Sequence, residues 1–182
     1  MKALTVCGSL RIASYNRKLL KVASNVAQNL GAEVRDVDLK QVILPLYDQD
    51  IQDAGMPLIV QDLKTMVEES DVIIFVSPEY NYSVPGVLKN FIDWLSRGKN
   101  SLDKKTVAIM GASPGAFGTV RCQAHLRQIL LSLNVRILSK PELYVRFCDK
   151  AFDESGNLVD PKTQEMLEKL IQDTFELYNK LK

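Results

Sequence analysis

The 182-residue chain lacks much of what several functional classes require. Its three cysteines, Cys7, Cys122 and Cys148, are too few and too far apart for a disulfide framework or a paired-cysteine metal site, and their odd number fits a reducing compartment. Charge of one sign is missing as well. Lys and Arg total 23 against 22 Asp and Glu, a formal net charge of +1, so no overall field recommends nucleic acid or an anionic membrane as partner. There is no uninterrupted run of about 18 apolar residues. Met1-Lys2 leads directly into strand-like sequence rather than a leader, so the expected location is cytoplasmic. No G-x-S-x-G nucleophile elbow is present, and the single histidine, His125, lies in a helical stretch, which removes the hydrolase reading. The dinucleotide fingerprint G-x-G-x-x-G is absent after the first strand: Gly8 is followed by Ser9-Leu10-Arg11. Asp36 or Asp38 could imitate a ribose-binding acid, but neither carries a dehydrogenase assignment alone. Repeats and low-complexity segments are also absent.

With 46% hydrophobic residues, there is enough apolar material for one substantial core, and residues 1–182 read as a single domain. Strand and helix signals alternate along it, the order that builds a parallel sheet covered on both faces. Ala3–Cys7 opens as a strand. Asn16–Leu30 places Leu19, Leu20, Val22, Ala23, Val26 and Ala27 at helical spacing and stops at Gly31. Glu33–Asp38 alternates as an outer strand does, and Leu39–Gly55 is a long connection. Pro57–Ser70 reads as a helix, Asp71–Ser77 as a central strand, and the stretch from Pro85 to about Gly98 as another helix. Thr106–Ala112 is the next strand and Val120–Leu133 the next helix; a last strand falls within Val135–Val145, followed by the helix Lys162–Leu181. The expected fold is α/β, a flavodoxin-like doubly wound five-stranded parallel sheet in the order 2-1-3-4-5 with helices on both faces.

That topology brings three polar loops to one rim: Gly8–Asn16, Pro78–Val84 and Ser113–Gly118. The first joins a strand to a helix N-terminus, where free amides and the helix dipole form an anion cradle. Ser9, Ser14 and Asn16 add side-chain donors there, and Arg11 and Arg17 add charge. The second loop, Pro78-Glu79-Tyr80-Asn81-Tyr82-Ser83, offers aromatic surface, amides and proline corners that suit a planar heterocycle. A flavin has that character, and its phosphate would reach the cradle.

The segments Gly8-Ser9-Leu10-Arg11, Ser14, Asn16-Arg17, Pro78 to Asn90 with Asp93-Trp94, and Ser113-Pro114-Gly115 with Gly118, Arg121, Gln123 and Leu126-Arg127 carry a resemblance to a known family. The chain resembles the NADPH-dependent FMN reductase family over nearly its whole length, on the side of its chromate or quinone reductase and azoreductase-like members. The resemblance implies non-covalently bound FMN reduced by NADPH or NADH. Quinones, free flavin, azo compounds or chromate would reoxidise it in the same site. It also implies that Ser9, Arg11, Ser14, Tyr15, Asn16 and Arg17 hold the phosphate end. Pro78, Glu79, Tyr80 and Asn81 border the ring with Ser83 nearby, and Ser113, Pro114 and Gly115 lie on its other edge. A homodimer or homotetramer is implied as well, with Arg121, His125, Gln128 and Glu142 as a polar pairing surface. No general base is needed, and no metal is expected.

The residues themselves leave alternatives open. The Glu79 side chain either tunes the ring or points to water. Of Tyr80 and Tyr82, one stacks on the ring and the other packs on the helix that follows. Arg17 is either a phosphate ligand or a solvated helix-start residue. His125 is expected away from the rim, as an interface or solvent residue. Cys7 reads as a small buried apolar group, and Asp93 and Trp94 as packing or subunit contacts. The competing function is a flavodoxin-type electron carrier, although such carriers are typically strongly acidic and this chain is near neutral.

Overall fold

Val72-Ile73-Ile74-Phe75-Val76 is apolar at every position because both of its faces are covered, as befits a central parallel strand. In the computed structural model, which describes residues 1–182, this strand (β3, Val72–Val76) lies between β1 (Lys2–Cys7) and β4 (Thr106–Ala112). β2 (Glu33–Val37) pairs with the far side of β1, giving the parallel order β2-β1-β3-β4-β5. The expected 2-1-3-4-5 order is therefore present.

Alternate side chains of each strand feed two cores. On one face Ala3, Cys7, Val72, Ile74, Val76, Ala108 and Met110 meet α1 (Tyr15–Asn29) and α6 (Pro161–Leu181) through residues such as Leu19, Ala23, Leu167 and Ile171. On the other, Leu4, Val6, Ile73, Phe75, Val107 and Ile109 meet α3 (Leu58–Glu68), α4 (Gly86–Ser96) and α5 (Val120–Ser132) through Leu63, Leu88, Phe91 and Leu126. Proline suits the first turn of α6, where its missing N–H costs nothing, and Asp160 caps that helix by accepting from the Thr163 amide at 3.1 Å.

Two expectations need revision. The last strand is not continuous: β5 (Arg136–Ile137) pairs with the start of β4, and β6 (Leu143–Val145) with its end. Pro141 lies between the two pieces and has no N–H to give the ladder. The long connection after β2 also contains a short helix, α2 (Gln49–Ala54), capped by Asp48. That connection is docked on α4, where the Asn90 amide and the Trp94 indole both donate to the Pro45 carbonyl, at 2.9 and 2.8 Å. Trp94 is fully buried, and Asp93 pairs with Lys89 one turn back, so both side chains act within the chain.

Candidate functional site

The first rim loop leaves β1 at Gly8, whose amide still donates to Val76 O at 2.9 Å, and enters α1 at its cap, Ser14. Between them, the amides of Ile12, Ala13, Ser14, Tyr15 and Asn16 donate to no protein acceptor. Ser9 and Ser14 are buried with their hydroxyls in this loop, where each accepts only one long bond, from the Arg11 amide at 3.4 Å and the Arg17 amide at 3.3 Å. A row of unpaired amides at a helix N-terminus is an anion site by geometry and by field. Arg11 is exposed beside it, its guanidinium 5.8 Å from the centroid of the Tyr15 ring, and has no carboxylate partner.

Two residues expected to serve this cradle are used elsewhere. The Asn16 side chain is taken up by the backbone of Ala112, donating to its carbonyl at 2.9 Å and accepting from its amide at 2.8 Å. That leaves the backbone N–H of Asn16 and the second Nδ2 hydrogen for a ligand. Arg17 is turned toward β2 and forks onto Asp36 at 2.8 Å and Asp38 at 2.5 Å, because the two carboxylates at that strand's end offer more than solvent does.

The second loop leaves β3 through Ser77, whose amide donates to Met110 O at 3.0 Å. Tyr80 and Ser83 then exchange backbone bonds of 3.1 and 2.9 Å across a turn in which Asn81 has φ 48° and Tyr82 φ 67°. Two successive left-handed residues make a type I′ turn, and a tyrosine there is strained. The surroundings hold it. Glu79 accepts from the Arg121 and Cys122 amides, both at 3.0 Å, and from the Arg121 guanidinium at 3.0 Å. It thereby caps α5, whose own cap residue, Thr119, accepts from no helix amide and instead takes the Gln123 side-chain amide at 2.9 Å. Glu79 therefore neither points to water nor is free to face a ring. His125, expected away from the rim, is on it: its Nδ1 lies 3.0 Å from Ser83 Oγ. Arg121 is stacked between Tyr82 at 3.9 Å and Phe117 at 4.6 Å, so Tyr82 packs on α5 rather than on α4.

Together the loops enclose a cavity of about 300 Å³. Ser9, Arg11, Ser14, Tyr15 and Asn16 line it from loop one, Pro78, Glu79 and Tyr80 from loop two, and Ser113 and Pro114 from loop three. Arg17, Asn81, Ser83 and Gly115 are not on its wall, although Gly115 bonds the Ser113 hydroxyl through its amide at 3.2 Å. Ala112 lines the cavity without having been singled out from the sequence. Its only signal is its place at the end of a fully buried strand next to the topological switch. Thiol chemistry has no part here: burial pushes the Cys7 thiol up and those of Cys122 and Cys148 up to about 11, so all three stay protonated.

Residues 1–171 match the NADPH-dependent FMN reductase family. The chain belongs to that family. It is accordingly an FMN-dependent NAD(P)H oxidoreductase, and the cradle opening onto this cavity suits the phosphate and ring of FMN. The chain is 41% identical over 174 residues to an NAD(P)H-dependent FMN reductase of Pseudomonas aeruginosa, covering 94% of this chain and 92% of that one. It is 39% identical over 175 residues to a quinone reductase of Escherichia coli, covering 92% and 86%. Among solved structures, a flavoenzyme NAD(P)H:(acceptor) oxidoreductase of Paracoccus denitrificans superposes with TM-score 0.89 at 34% identity, covering 98% of this chain and 97% of that one. An azoreductase of Bacillus anthracis, at 14% identity and TM-score 0.64, shares the fold. No helix is long and apolar enough to cross a membrane.

Proposed function

We propose that this FMN reductase family member reduces quinones, one FMN-binding domain spanning residues 1–182 and using a single cavity for both half-reactions. The observation that carries the reading is the juxtaposition, around one cavity of about 300 Å³, of an unpaired-amide cradle and the Pro78–Tyr80 and Ser113–Pro114 edges. FMN, when bound, supplies the hydride chemistry. The protein's part is to hold and orient it. The amides of residues 12–16, the hydroxyls of Ser9 and Ser14 and the Arg11 guanidinium take the phosphate, where charge-assisted bonds are strongest. Pro78, Glu79 and Tyr80 border the ring through backbone groups, with Asn81 off the cavity wall in the same turn, which is fastened to α5 at Glu79 and Ser83. Ser113 and Pro114 form the opposite edge, with the Gly115 amide bonded to the Ser113 hydroxyl, and Tyr15 closes the phosphate end. No protein group transfers a proton in this account.

The names of the relatives support quinones as acceptors, and the same exposed ring edge suits free flavin, azo compounds and chromate. The near-neutral charge of +1 disfavours an electron carrier that docks on a basic partner, and equally disfavours nucleic acid and anionic membranes. Three buried, unpaired cysteines suit a cytoplasmic setting. For a homodimer or homotetramer, the support shifts away from the polar face of α5, since Arg121 and His125 are engaged within the chain. It rests instead on Ile43 and Leu46, exposed to 87% and 80%. One cavity serving two substrates in turn predicts ping-pong kinetics. Steady-state rates with varied NADPH and a quinone should give parallel double-reciprocal lines; lines that intersect would count against alternating use of one site.

A further inference from the structure

Tyr15 lines the phosphate end of the cavity from a half-buried position at the very start of α1. The Cα–Cβ bond of a helical residue tilts toward the helix N-terminus, so this side chain is carried toward the cradle and away from the turns of its own helix. Its support has to come from elsewhere.

That support is a segment outside the three rim loops. Between β6 and α6 the chain folds back on itself: Phe152 bridges Leu158 in antiparallel pairing, the Val159 amide donates to Ala151 O at 3.1 Å, and the Asp153 amide to Asn157 O at 2.9 Å. The Asp153 carboxylate fixes the turn by accepting from the Asn157 amide at 2.8 Å and from its side chain at 3.2 Å, and Gly156 permits it at φ 87°. Ala151, Phe152 and Leu158 seat this hairpin, residues 151–159, on the core shared by α1 and α6.

What the hairpin presents to α1 is one flat side chain. The Phe152 ring lies nearly parallel to that of Tyr15, with centroids 6.3 Å apart and planes 16° from parallel, within the offset stacking that aromatic pairs favour. Lys18 holds both rings: its ammonium is 5.8 Å from the Tyr15 centroid and 5.9 Å from that of Phe152. Arg11 in turn rests its guanidinium 5.8 Å from the Tyr15 centroid. The line of contact therefore runs from the hairpin through Phe152 and Tyr15 to Arg11 and the cradle. Phe152 contributes no atom to the cavity wall, so it acts on a ligand only through Tyr15.

We propose that Phe152 is a positioning residue for the flavin phosphate: stacked behind Tyr15, it fixes the ring that closes the cradle and the ring face on which Arg11 rests, so the hairpin governs how long FMN stays bound. This rests on the reading of loop one as the FMN phosphate cradle. The effect belongs to the phosphate and not to the isoalloxazine, whose edges are formed by loops two and three. Riboflavin, which has the ring and no phosphate, is indifferent to Phe152.

The test dilutes protein loaded with FMN or with riboflavin and follows the return of free-flavin fluorescence, which gives the release rate of each. In F152L, which keeps apolar bulk on the core but loses the flat face, FMN should leave about fivefold faster, as loss of one aromatic stack implies, with riboflavin release unchanged. F152Y keeps the flat face and should restore slow FMN release. In a Y15A background F152L should add nothing, because the residue it acts through is gone. Equal acceleration of both flavins, unchanged FMN release in F152L, or a full effect of F152L on top of Y15A would overturn the assignment. Unaltered protein that holds riboflavin as tightly as FMN would instead overturn the phosphate cradle itself.

Discussion

Asn16 and Arg17 are neighbours in the chain and are used for opposite purposes. Asn16 reaches 96 residues along the sequence to lock the end of β4 to the cradle, and Arg17 reaches back to β2. Neither destination is visible in the motif, because a motif gives residue types and spacing but not the direction of a side chain. Ser9, Ser14 and Arg11 were legible for the contrary reason: a short loop before a helix N-terminus leaves small polar groups little choice but to face the free amides. Among side chains on the cradle, Arg11 is the one with charge to give. Arg11→Ala should weaken FMN binding by about 1.5 kcal/mol, roughly tenfold in Kd, with little change in thermal stability, since the side chain is exposed, has no carboxylate partner and only approaches the Tyr15 ring at 5.8 Å. Titration of apoprotein with FMN checks this, and an unchanged Kd would remove Arg11 from the cradle.

Among the elements, α5 and the turn at Tyr80–Ser83 form one unit. Glu79 supplies the cap that Thr119 does not, His125 meets Ser83, and Arg121 is clamped by Tyr82 and Phe117, so the helix holds two left-handed residues in place. Beneath this unit lies Gly111, in β4, where an added Cβ would come within 2.2 Å of the Ser77 carbonyl and 2.4 Å of Thr119 Oγ1. Gly111→Ala should therefore push Ser77, the residue that launches the ring loop, and cost about 1–3 kcal/mol of stability as overpacking does, with FMN binding weakened in step. Gly86→Ala is the matched control: nothing lies within 4 Å of its would-be Cβ, and it opens α4, where alanine is the better helix former. Urea unfolding of both variants separates the two cases; equal stabilities would deny the close approach. β3 and β4 could be read from the sequence because burial on both faces makes a strand apolar throughout. The interruption between β5 and β6 and the short α2 could not, since two- and six-residue elements carry too little periodicity to register.

For the whole molecule, the doubly covered sheet sets the site: the β1 and β3 ends diverge at the topological switch, and the three loops that follow β1, β3 and β4 have nowhere to go but the same rim. The opposite end of the sheet is tied by charge. Asp71 accepts from the Lys2 amide at 2.8 Å and from the Tyr178 hydroxyl, joining β1 and α6. Burial alone would raise its carboxyl, but the bonds from Tyr178 and Lys2 outweigh burial and hold it below the usual value. Glu68, held down chiefly by the Ser101 hydroxyl, and Glu142, chiefly by Lys140, shift the same way. A carboxyl whose folded value is depressed contributes stability above its unfolded value and loses it as pH falls through the folded one, so stability should decline below about pH 4. Asp71→Asn should lower stability at pH 7 and flatten that acid decline; an acid decline as steep as in the unaltered protein would refute the assignment. The alternation of strand and helix signals was enough to order the sheet, whereas the Asp71–Tyr178 tie spans 107 residues and has no local signature. The central claim, that this chain is itself a reductase and not a passive carrier, is tested most directly by adding NADPH anaerobically to the purified FMN-loaded protein alone. The visible flavin absorbance should bleach rapidly and return when a quinone is added; a flavin that stays yellow until a second protein supplies electrons would contradict the account.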